Sequence, residues 1–343
     1  MKVLVTGGAG FIGRHVVDVL LARDHTVRVI DSLRADVHGD RGWTPPALVE
    51  FQRADVRDAA AIDRALVGID AVIHLAAKVG LGVSIADTPD YVSSNDLGTA
   101  ELLAGMARAD VHRLALASSM VVYGEGLGRC PVHGAITPGP RSAAAMTAGR
   151  FEPPCPVCGA TLAHALVGED TPIDPRNVYA STKAAQELYA SNWARVTGGS
   201  AAAMRYHNVY GPGMPRDTPY AGVAAIFLSA LRRGEAPKVF EDGGQRRDFV
   251  HVRDVAMATV LAAEQHSAGF RAFNVGSGTP RTVGDMARAL AHALDGPEPV
   301  VTGGFRLADV RHITADSSRC RNELGWSADR AFDDGMAELA RAN

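Results

Sequence analysis

The sequence predicts an α/β protein with a doubly wound parallel sheet and a smaller C-terminal α+β lobe. Short apolar runs rich in β-branched residues alternate with amphipathic stretches through the first half of the chain, which is typical of βαβ units. A glycine-rich turn joins the first apolar run to the first amphipathic stretch. The length of 343 residues is sufficient for two lobes with a large buried core.

The predicted elements follow this alternation along the chain. Strands are expected over Met1–Thr6, Thr26–Ile30, Val49–Arg53, Ala71–Leu75 and Arg113–Ala117, and helices over Arg14–Arg23 and Thr99–Arg108. The alternation is lost between about 125 and 175, resumes at Val178 and becomes more mixed after Gly211. We therefore expect a first domain over residues 1–205, an insertion over 125–172 without a clear period, and a second lobe over 206–343. Some segments of the second lobe are expected to return to the first domain.

The composition excludes several classes of protein. The formal net charge is -3, so no surface for nucleic acid or for an anionic membrane is expected. No stretch approaches the roughly 20 apolar residues of a membrane span, and the first residues lack the layout of a signal peptide. Four cysteines in a chain of 343 residues do not make a disulfide scaffold. These features predict a cytoplasmic protein.

Gly7, Gly10 and Gly13 form the pattern G-x-x-G-x-x-G between the first strand and the first helix. The early glycines permit a tight turn and a close approach of the backbone to a pyrophosphate, and Gly13 lets the helix pack on the strand. The start of the helix offers free N–H groups to phosphates. The pattern predicts a dinucleotide site and a Rossmann-type sheet. A tight turn without a ligand is the alternative.

Acidic residues after the second and third strands support a dinucleotide ligand. Asp31 ends the second strand, where a carboxylate accepts hydrogen bonds from the adenosine ribose and repels a 2′-phosphate. This favours NAD over NADP, although Arg34 lies three residues later and could weaken that preference. Asp55 is expected to face the adenine. The sequence therefore predicts NAD as the cofactor.

Tyr179 and Lys183 are the predicted catalytic pair. Their i, i+4 spacing puts both side chains on one face of a helix. A tyrosine with a pKa near 10 is a poor base, and a neighbouring ammonium and a positive nicotinamide ring would both lower that pKa. Lys183 can also hold the nicotinamide ribose. Ser118 and Ser119 follow the strand Arg113–Ala117, and one of them can share a proton with Tyr179 and a substrate hydroxyl.

These motifs together resemble the extended short-chain dehydrogenase/reductase family, and within it the NAD-dependent nucleotide-sugar epimerases and dehydratases. The matching stretches are Thr6-Gly-Gly-Ala-Gly-Phe-Ile-Gly13, Asp31, His74-Leu-Ala-Ala77, Asn95 with Gly98-Thr99, Ser118-Ser119 with Val122-Tyr-Gly124, Tyr179-x-x-x-Lys183, Arg205-Tyr-His-Asn-Val-Tyr-Gly-Pro212, Arg247-Asp-Phe-Val250 and Asn274-Val-Gly276. The resemblance covers nearly the whole chain.

The resemblance implies a set of cofactor and substrate contacts. The cofactor residues it implies, with the glycines and acids above, are Phe11, Ile12, Val56, Leu75, Ala76, Ala77, Lys78, Asn95, Ser118, Tyr179, Lys183 and His207. The substrate residues it implies are Lys78, Ser119, Met120, Asn208, Arg247 and Arg306. In the family, the last two arginines pair with the diphosphate of a nucleotide sugar. Arg306 stands in a segment that reads R-P-G-D in the family and Arg306-Leu-Ala-Asp309 here.

The resemblance also excludes reactions. Related dehydratases carry an Asp-Glu pair after the catalytic Ser or Thr, and related decarboxylases carry a Glu, whereas this chain has Met120 and Val121, which cannot transfer protons. An NDP-sugar 4-epimerase that passes through a 4-keto sugar is therefore expected. A 4-ketoreductase that consumes NAD(P)H is the alternative. A non-catalytic NAD-binding scaffold is a third possibility, and the intact Tyr179–Lys183 pair argues against it.

Three of the four cysteines lie in the insertion, as two C-x-x-[CH] turns. Cys130, His133, Cys155 and Cys158 would complete a closed tetrahedral zinc site, which is structural because it leaves no position for water. An unliganded loop and a regulatory disulfide are the alternatives. The histidine in the first turn favours a metal.

The insertion, together with Lys78-Val-Gly-Leu-Gly82, resembles a subgroup of dTDP-L-rhamnose 4-epimerases and related UDP-sugar 4-epimerases. This implies a dTDP- or UDP-hexose as substrate, such as dTDP-L-rhamnose, UDP-glucose or UDP-glucuronate. Val79–Val83 and Met214–Ala221 are expected to line the sugar pocket. The family resemblance also implies a homodimer, in which helices at about 98–109 and 180–196 pair with their mates.

Overall fold

Seven parallel strands form the central sheet of the structure, a computed structural model that describes residues 1–39, 42–80, 84–215, 222–307 and 309–342. The strands are β1 (Lys2–Thr6), β2 (Thr26–Asp31), β3 (Val49–Arg53), β4 (Ala71–His74), β5 (Arg113–Ser119), β6 (Ser200–Tyr206) and β7 (Gly269–Val275). Their spatial order is β3-β2-β1-β4-β5-β6-β7. The order reverses beside β1, so the crevice between β1 and β4 lies at the switch point where such sheets bind ligands.

Eight helices of eight or more residues surround this sheet and build the second lobe in the described part of the chain. They are α1 (Phe11–Ala22), α2 (Ala59–Leu66), α3 (Gly98–Arg108), α4 (Val178–Thr197), α5 (Val223–Arg232), α6 (Val252–Glu264), α7 (Val283–Ala293) and α8 (Phe332–Arg341). Shorter helical segments cover Ala35–His38, Ile85–Asp87, Thr88–Tyr91, Val92–Leu97, Met120–Tyr123, Ala143–Thr147 and Ser318–Leu324.

The two faces of the sheet bury alternate residues of each strand. Val3 and Val5 belong to the core shared with α1 and α6, whereas Leu4 belongs to the core shared with α2, α3 and α4. All three side chains are fully buried. This alternation follows from the two-residue period of a strand, and helices on both faces are what a parallel sheet requires. The predicted doubly wound fold is confirmed by the order of the strands.

The second lobe has its own apolar core between α5, α7 and α8. This lobe also contains three small sheets. They join Asn208–Tyr210 with Phe249–His251, Lys238–Val239 with Val300–Val301, and Arg246–Arg247 with both Arg281–Thr282 and His312–Ile313. Part of the chain after residue 206 packs on the seven-stranded sheet, because α6 lies beside α1 and β7 pairs with β6.

The insertion contains regular structure that its sequence does not indicate. Leu127–Cys130 pairs antiparallel with Gly134–Ile136 and with Ala163–Ala165, which makes a three-stranded sheet. Strands of three or four residues are too short to show a period, which explains why none was expected here. No helix in the described ranges is long and apolar enough to cross a membrane.

Candidate functional site

The glycine turn closes tightly between β1 and α1. Gly7 has a φ of +72°, and a Cβ atom there would lie 2.6 Å from the backbone nitrogen of Ala76. A Cβ atom on Gly13 would lie 2.3 Å from the carbonyl oxygen of Gly7. Gly10 is the N-cap of α1 and makes no side-chain hydrogen bond to it. The backbone N–H groups of the first turn, which begins with Phe11 and Ile12, therefore have no acceptor within the helix and are available to a ligand. Only glycine fits this turn.

Asp31 lies at the end of β2, beside the glycine turn. Its carboxylate accepts hydrogen bonds from the backbone N–H of Ala9 at 3.1 Å and of Leu33 at 2.9 Å. The side chain of His38 lies 3.5 Å from it. These contacts hold the carboxylate at the edge of the crevice, where the sequence predicts a ribose contact.

Arg34 is occupied by carboxylates and is not free to receive a phosphate. Its guanidinium donates to Asp36 at 3.0 Å and to Asp90 at 3.1 Å. The Oγ atom of Ser94 accepts a further hydrogen bond at 3.3 Å. Arg34 is therefore a weaker argument for NADP than its position in the sequence suggests.

The residues predicted to surround the adenine lie after β3. Asp55 pairs with Arg57, whose Nη2 lies 2.7 Å from the carboxylate, and this hydrogen-bonded pair lowers the pKa of Asp55. Val56 is buried and faces the start of α3, where a Cβ atom on Gly98 would lie 2.7 Å from it. The Asp55 carboxylate thus carries a negative charge beside the apolar Val56.

The chain after β4 passes over the glycine turn. Leu75 donates its N–H to the carbonyl oxygen of Thr6 at 3.0 Å, and Ala76 donates to the Thr6 hydroxyl at 3.2 Å. His74 lies between that hydroxyl, at 2.7 Å, and the Thr99 hydroxyl, at 3.0 Å. These bonds fix the Leu75–Ala77 backbone at the crevice, where the sequence predicts cofactor contacts.

Lys78 and Asn95 are linked to each other. The Asn95 amide accepts from the Lys78 N–H at 2.7 Å, donates to the Lys78 carbonyl at 3.0 Å and donates to the Thr182 hydroxyl at 2.9 Å. The Lys78 ammonium pairs with Asp90, and Arg34 and Lys78 together hold the pKa of Asp90 well below its usual range. Asn95 is fully buried, so its side chain positions the loop instead of facing the crevice.

Tyr179 and Lys183 lie on the first two turns of α4, at the carboxyl end of β5. The Lys183 ammonium is 5.9 Å from the centre of the Tyr179 ring and donates to the Ala117 carbonyl at 2.8 Å. Burial lowers the pKa of Lys183 to about 8. Burial also raises the pKa of Tyr179 to about 12, against the hydrogen bond from Ser119, so the lowering expected from Lys183 alone is not seen.

Ser118 and Ser119 have different partners. Both belong to β5, which extends two residues beyond the predicted strand. The Ser119 hydroxyl contacts Tyr179, whereas the Ser118 hydroxyl donates to the buried Glu187. Ser119 is therefore the serine that can share a proton with Tyr179, and the Ser118 side chain points into the packing between β5 and α4.

Glu187 and Arg205 form a buried ion pair that the sequence analysis missed. Two hydrogen bonds join them, at 2.9 Å and 2.7 Å, and both side chains are about 5% exposed. Arg205 also donates to the Tyr123 hydroxyl at 2.8 Å. The signal was available, because Glu187 follows Lys183 by one helical turn and shares its face of α4.

Two polar side chains, His207 and Asn208, follow directly after β6. His207 is buried, and neither ring nitrogen has a hydrogen-bond partner among the described residues. Burial lowers the pKa of His207 to about 4, so the ring is neutral at ordinary pH. The Oδ1 atom of Asn208 likewise has no partner in the described part of the chain. Met120 begins the short helix after β5.

Arg247 and Arg306 are both close enough to Asp309 for their charges to act on it. The Arg247 guanidinium donates to the carbonyl oxygens of Val310 at 2.6 Å and Arg311 at 3.0 Å. Burial lowers the pKa of Arg247 to about 10, which leaves it positively charged at neutral pH. Arg306 is exposed and stacks over the Phe240 ring at 5.3 Å, and both arginines act on the Asp309 carboxyl. Arg247, on the short strand Arg246–Arg247, therefore contacts the loop that follows Arg306.

Cys130, His133, Cys155 and Cys158 converge in the insertion. Their ligand atoms all lie within 4.8 Å of one another, and the Sγ atoms of Cys130 and Cys158 are 3.6 Å apart. Two sulfur ligands of a tetrahedral zinc ion are about 3.8 Å apart, given a Zn–S distance of about 2.3 Å. Cys320 lies elsewhere, with its thiol bonded to the Asn274 carbonyl.

Parts of two predicted sugar-pocket segments, Val79–Val83 and Met214–Ala221, cannot be placed. Residues 81–83 and 216–221 lie outside the described residues.

The sequence model of the NAD-dependent epimerase/dehydratase family matches residues 3–145 and 158–276, which is most of the chain. The chain belongs to this family. The gap in the match, residues 146–157, falls within the insertion of this epimerase/dehydratase family member. The family predicted from the motifs is confirmed.

Individual members of the family resemble the chain over nearly its whole length. The dTDP-L-rhamnose 4-epimerase of Burkholderia thailandensis is 35% identical over 98% of this chain and 93% of its own. The UDP-glucose 4-epimerase of Mycolicibacterium smegmatis is 32% identical, over 98% and 97%. The structure of the Thermus thermophilus UDP-glucose 4-epimerase with NAD is 30% identical, with a TM-score of 0.77 and coverage of 99% and 98%.

Proposed function

We propose that this family member is an NAD-dependent NDP-sugar 4-epimerase. The observation that carries the proposal is the grouping of Tyr179, Lys183 and Ser119 at the carboxyl end of β5, followed by Met120 and Val121 in place of acids. This set can move one proton at a sugar hydroxyl, and it offers no side chain at the next two positions for dehydration or decarboxylation. Several relatives carry the name of a 4-epimerase.

The crevice at β1 fits a dinucleotide. The crowding at Gly7 and Gly13 leaves backbone amides, not side chains, to meet a pyrophosphate. Asp31 would bind the adenosine ribose, and the carboxylates on Arg34 disfavour a 2′-phosphate there. The unpartnered nitrogens of the buried His207 lie on the neighbouring loop. These residues support NAD as the resident cofactor.

Tyr179 holds and moves the proton of the sugar 4-hydroxyl. With a pKa of about 12, the phenol is protonated at neutral pH in the protein alone, so it gives up its proton only when positive charge lies beside it. When bound, NAD⁺ would supply that charge together with the reversible hydride acceptor that the 4-keto route needs. Ser119 lies beside Tyr179, where its hydroxyl can donate to the phenol oxygen, and Lys183 adds a nearby ammonium.

Asn208, Arg247 and Arg306 hold the nucleotide half while the sugar turns. Arginine suits this role because its planar guanidinium meets phosphate oxygens with two hydrogen bonds. The substrate we propose is a dTDP- or UDP-hexose, such as dTDP-L-rhamnose, UDP-glucose or UDP-glucuronate. The names of the similar 4-epimerases differ in the nucleotide base and in the sugar of the substrate.

The test is turnover without added cofactor. The purified protein is incubated with a panel of UDP- and dTDP-hexoses, and NMR follows the C4 proton. We expect a C4 epimer to form without NADH, because the hydride is borrowed and returned. Turnover only of a 4-keto-6-deoxy sugar, with stoichiometric loss of NADH, would instead identify a 4-ketoreductase. Failure of every sugar in both assays would refute the proposal.

We also propose that the Cys/His cluster of the insertion holds a structural zinc ion. The four ligands lie at distances that suit a tetrahedral ion, and the two pairs come from different parts of the insertion. A closed set of three thiolates and one imidazole leaves no position for water. The ion would tie the start of the insertion to its middle, where the apolar core has only a few residues.

Metal analysis of protein purified without a histidine tag tests this site. We expect about one zinc per chain, and we expect Cys158→Ser to lose most of it because one ligand is gone. The control is Cys320→Ser, which removes a thiol outside the cluster and leaves the zinc content unchanged. A zinc content near zero with Cys155 freely alkylated would contradict the site. A mass two protons lower, with no metal, would indicate a disulfide.

The predicted homodimer would use α3 and α4. Leu97, which directly precedes α3, and Leu188 and Tyr189 on α4 expose 46%, 57% and 39% of their surface. Burying such an apolar face against a second copy would stabilise a dimer. We expect light scattering to give twice the chain mass of 36.0 kDa, and Leu188→Glu to halve it. Ile226→Glu on α5 is the control, since that side chain is 48% exposed elsewhere. A wild-type monomer would refute the dimer.

The cytoplasmic location stays a prediction.

A further inference from the structure

The insertion reaches into the second lobe through Arg141. Its side chain is 3% exposed and pairs with the buried Glu241 at 2.9 Å. The same guanidinium donates to the backbone carbonyl of Asp309 at 2.7 Å and to that of Phe151 at 3.2 Å. A residue of the insertion therefore fixes the backbone of the loop that carries Arg306.

Glu152 makes a second connection to the same loop. Its carboxylate accepts from Arg311 at 2.6 Å and lies 2.7 Å from the Nε2 atom of His312. Arg311 also pairs with Glu241 at 2.7 Å and Asp242 at 2.8 Å. The insertion and the second lobe thus share one network of alternating charges, in which Arg141, Glu241 and Arg311 are buried.

The loop held by this network orients Arg247. The guanidinium of Arg247 has hydrogen bonds to the carbonyls of Val310 and Arg311, directly after the Asp309 carbonyl that Arg141 binds. The backbone of Arg306 belongs to the same turn, because the Asp309 N–H donates to the Arg306 carbonyl at 3.1 Å. A shift of residues 309–311 would move both arginines.

The sequence of this loop explains why an outside support is needed. Proline restricts the backbone and glycine permits special turns, but residues 307 and 308 are Leu and Ala, which do neither. The backbone of the loop therefore needs its geometry from partners. Arg141 and Glu152 are those partners, and both come from the insertion.

We propose that Arg141 and Glu152 are positioning residues that set the affinity of the site for the diphosphate of its substrate. Neither residue contacts the diphosphate. They act through the backbone of residues 309–311, which aims Arg247 and Arg306. The insertion is thus part of the substrate site and not a separate module. This inference rests on the proposed function for the identity of the ligand.

A merely structural network makes a different prediction from a positioning one. Loss of a structural contact lowers Tm and leaves the affinity for nucleotides unchanged at a temperature where the protein is folded. Loss of a positioning contact weakens binding of the diphosphate and leaves binding of the nucleoside and the NAD content unchanged. The comparison of a nucleoside diphosphate with its nucleoside therefore separates the two.

The variants are Arg141→Lys, which keeps the charge but loses the fork of N–H groups, and Glu152→Gln, which keeps the shape but loses the charge. The matched control is Arg150→Gln, because Arg150 is an exposed arginine of the same insertion. Calorimetry measures the Kd of UDP, dTDP, uridine and thymidine. Steady-state kinetics on a hexose that the wild type epimerises give KM and kcat separately.

We expect both variants to raise the Kd of the diphosphates and the KM by about tenfold, which corresponds to about 1.4 kcal/mol. The Kd of the nucleosides and kcat should stay within about twofold, and Arg150→Gln should match the wild type. Unchanged diphosphate affinity in folded variants would overturn the proposal. If Arg141→Lys does not fold, Glu152→Gln decides alone, since its side chain is 38% exposed. A wild type that binds UDP or dTDP but epimerises nothing refutes the proposed function and leaves this comparison readable.

Discussion

Tyr179→Phe should lower kcat by about a thousandfold, because the variant lacks the phenol oxygen that exchanges a proton with the sugar hydroxyl beside Ser119. General acid–base groups contribute about a hundredfold to ten-thousandfold. The substitution keeps the ring that packs beside Lys183 and Tyr91. Tm and the content of bound NAD should therefore be unchanged. NMR of the C4 epimer measures the rate.

The matched control for this variant is Tyr189→Phe. Tyr189 lies on the same helix, nearly three turns after Tyr179, and is 39% exposed. Loss of its hydroxyl should leave kcat within about twofold of the wild type. A Tyr179→Phe variant that keeps more than a tenth of the activity would contradict the role of Tyr179 and would move attention to Ser119.

Glu187→Gln should destabilise the protein by about 3 kcal/mol, because it leaves the buried guanidinium of Arg205 without a counter-charge. The pair is joined by two hydrogen bonds and is almost excluded from solvent. In a chain of this length we expect Tm to fall by about 6 °C, given that a change of 1 kcal/mol shifts Tm by roughly 2 °C in large domains. Scanning calorimetry at a fixed NAD concentration measures the shift.

A surface pair provides the control for the buried one. Glu323 pairs with Arg271, and the two side chains are 35% and 52% exposed. Glu323→Gln should cost less than about 1 kcal/mol, because solvent screens exposed pairs. The combination of Glu187→Leu and Arg205→Met should cost less than the sum of the two single changes. Equal Tm values for Glu187→Gln and Glu323→Gln would show that the buried pair contributes little.

The features that the sequence predicts well depend on local spacing. The alternation of apolar runs gives the first five strands to within two residues, and the i, i+4 spacing places Tyr179 and Lys183 together on α4. The convergence of Cys130 with Cys155 crosses 25 residues, yet it was predictable because each C-x-x-[CH] turn is a metal-binding half on its own.

The features that the sequence does not predict join distant residues of ordinary type. The partner of Arg141 is 100 residues away, and nothing in the local sequence distinguishes this arginine from an exposed one such as Arg150. Ser118 and Ser119 are adjacent and identical, and only the direction of alternate side chains in β5 separates them. Charge pairing and strand direction become visible only when the chain is folded.

The occupancy of Arg34 has an evolutionary consequence. A change of cofactor toward the 2′-phosphorylated form would need the repelling carboxylate of Asp31 to disappear and a free cation to take its place. Arg34 stands nearby, but Asp36 and Asp90 both neutralise it. Loss of Asp90 alone would remove one of the two partners of Arg34 and would also remove the partner of the Lys78 ammonium. No single substitution completes the change, so the chain can drift through many neutral mutations at this edge of the crevice while it keeps its choice of cofactor.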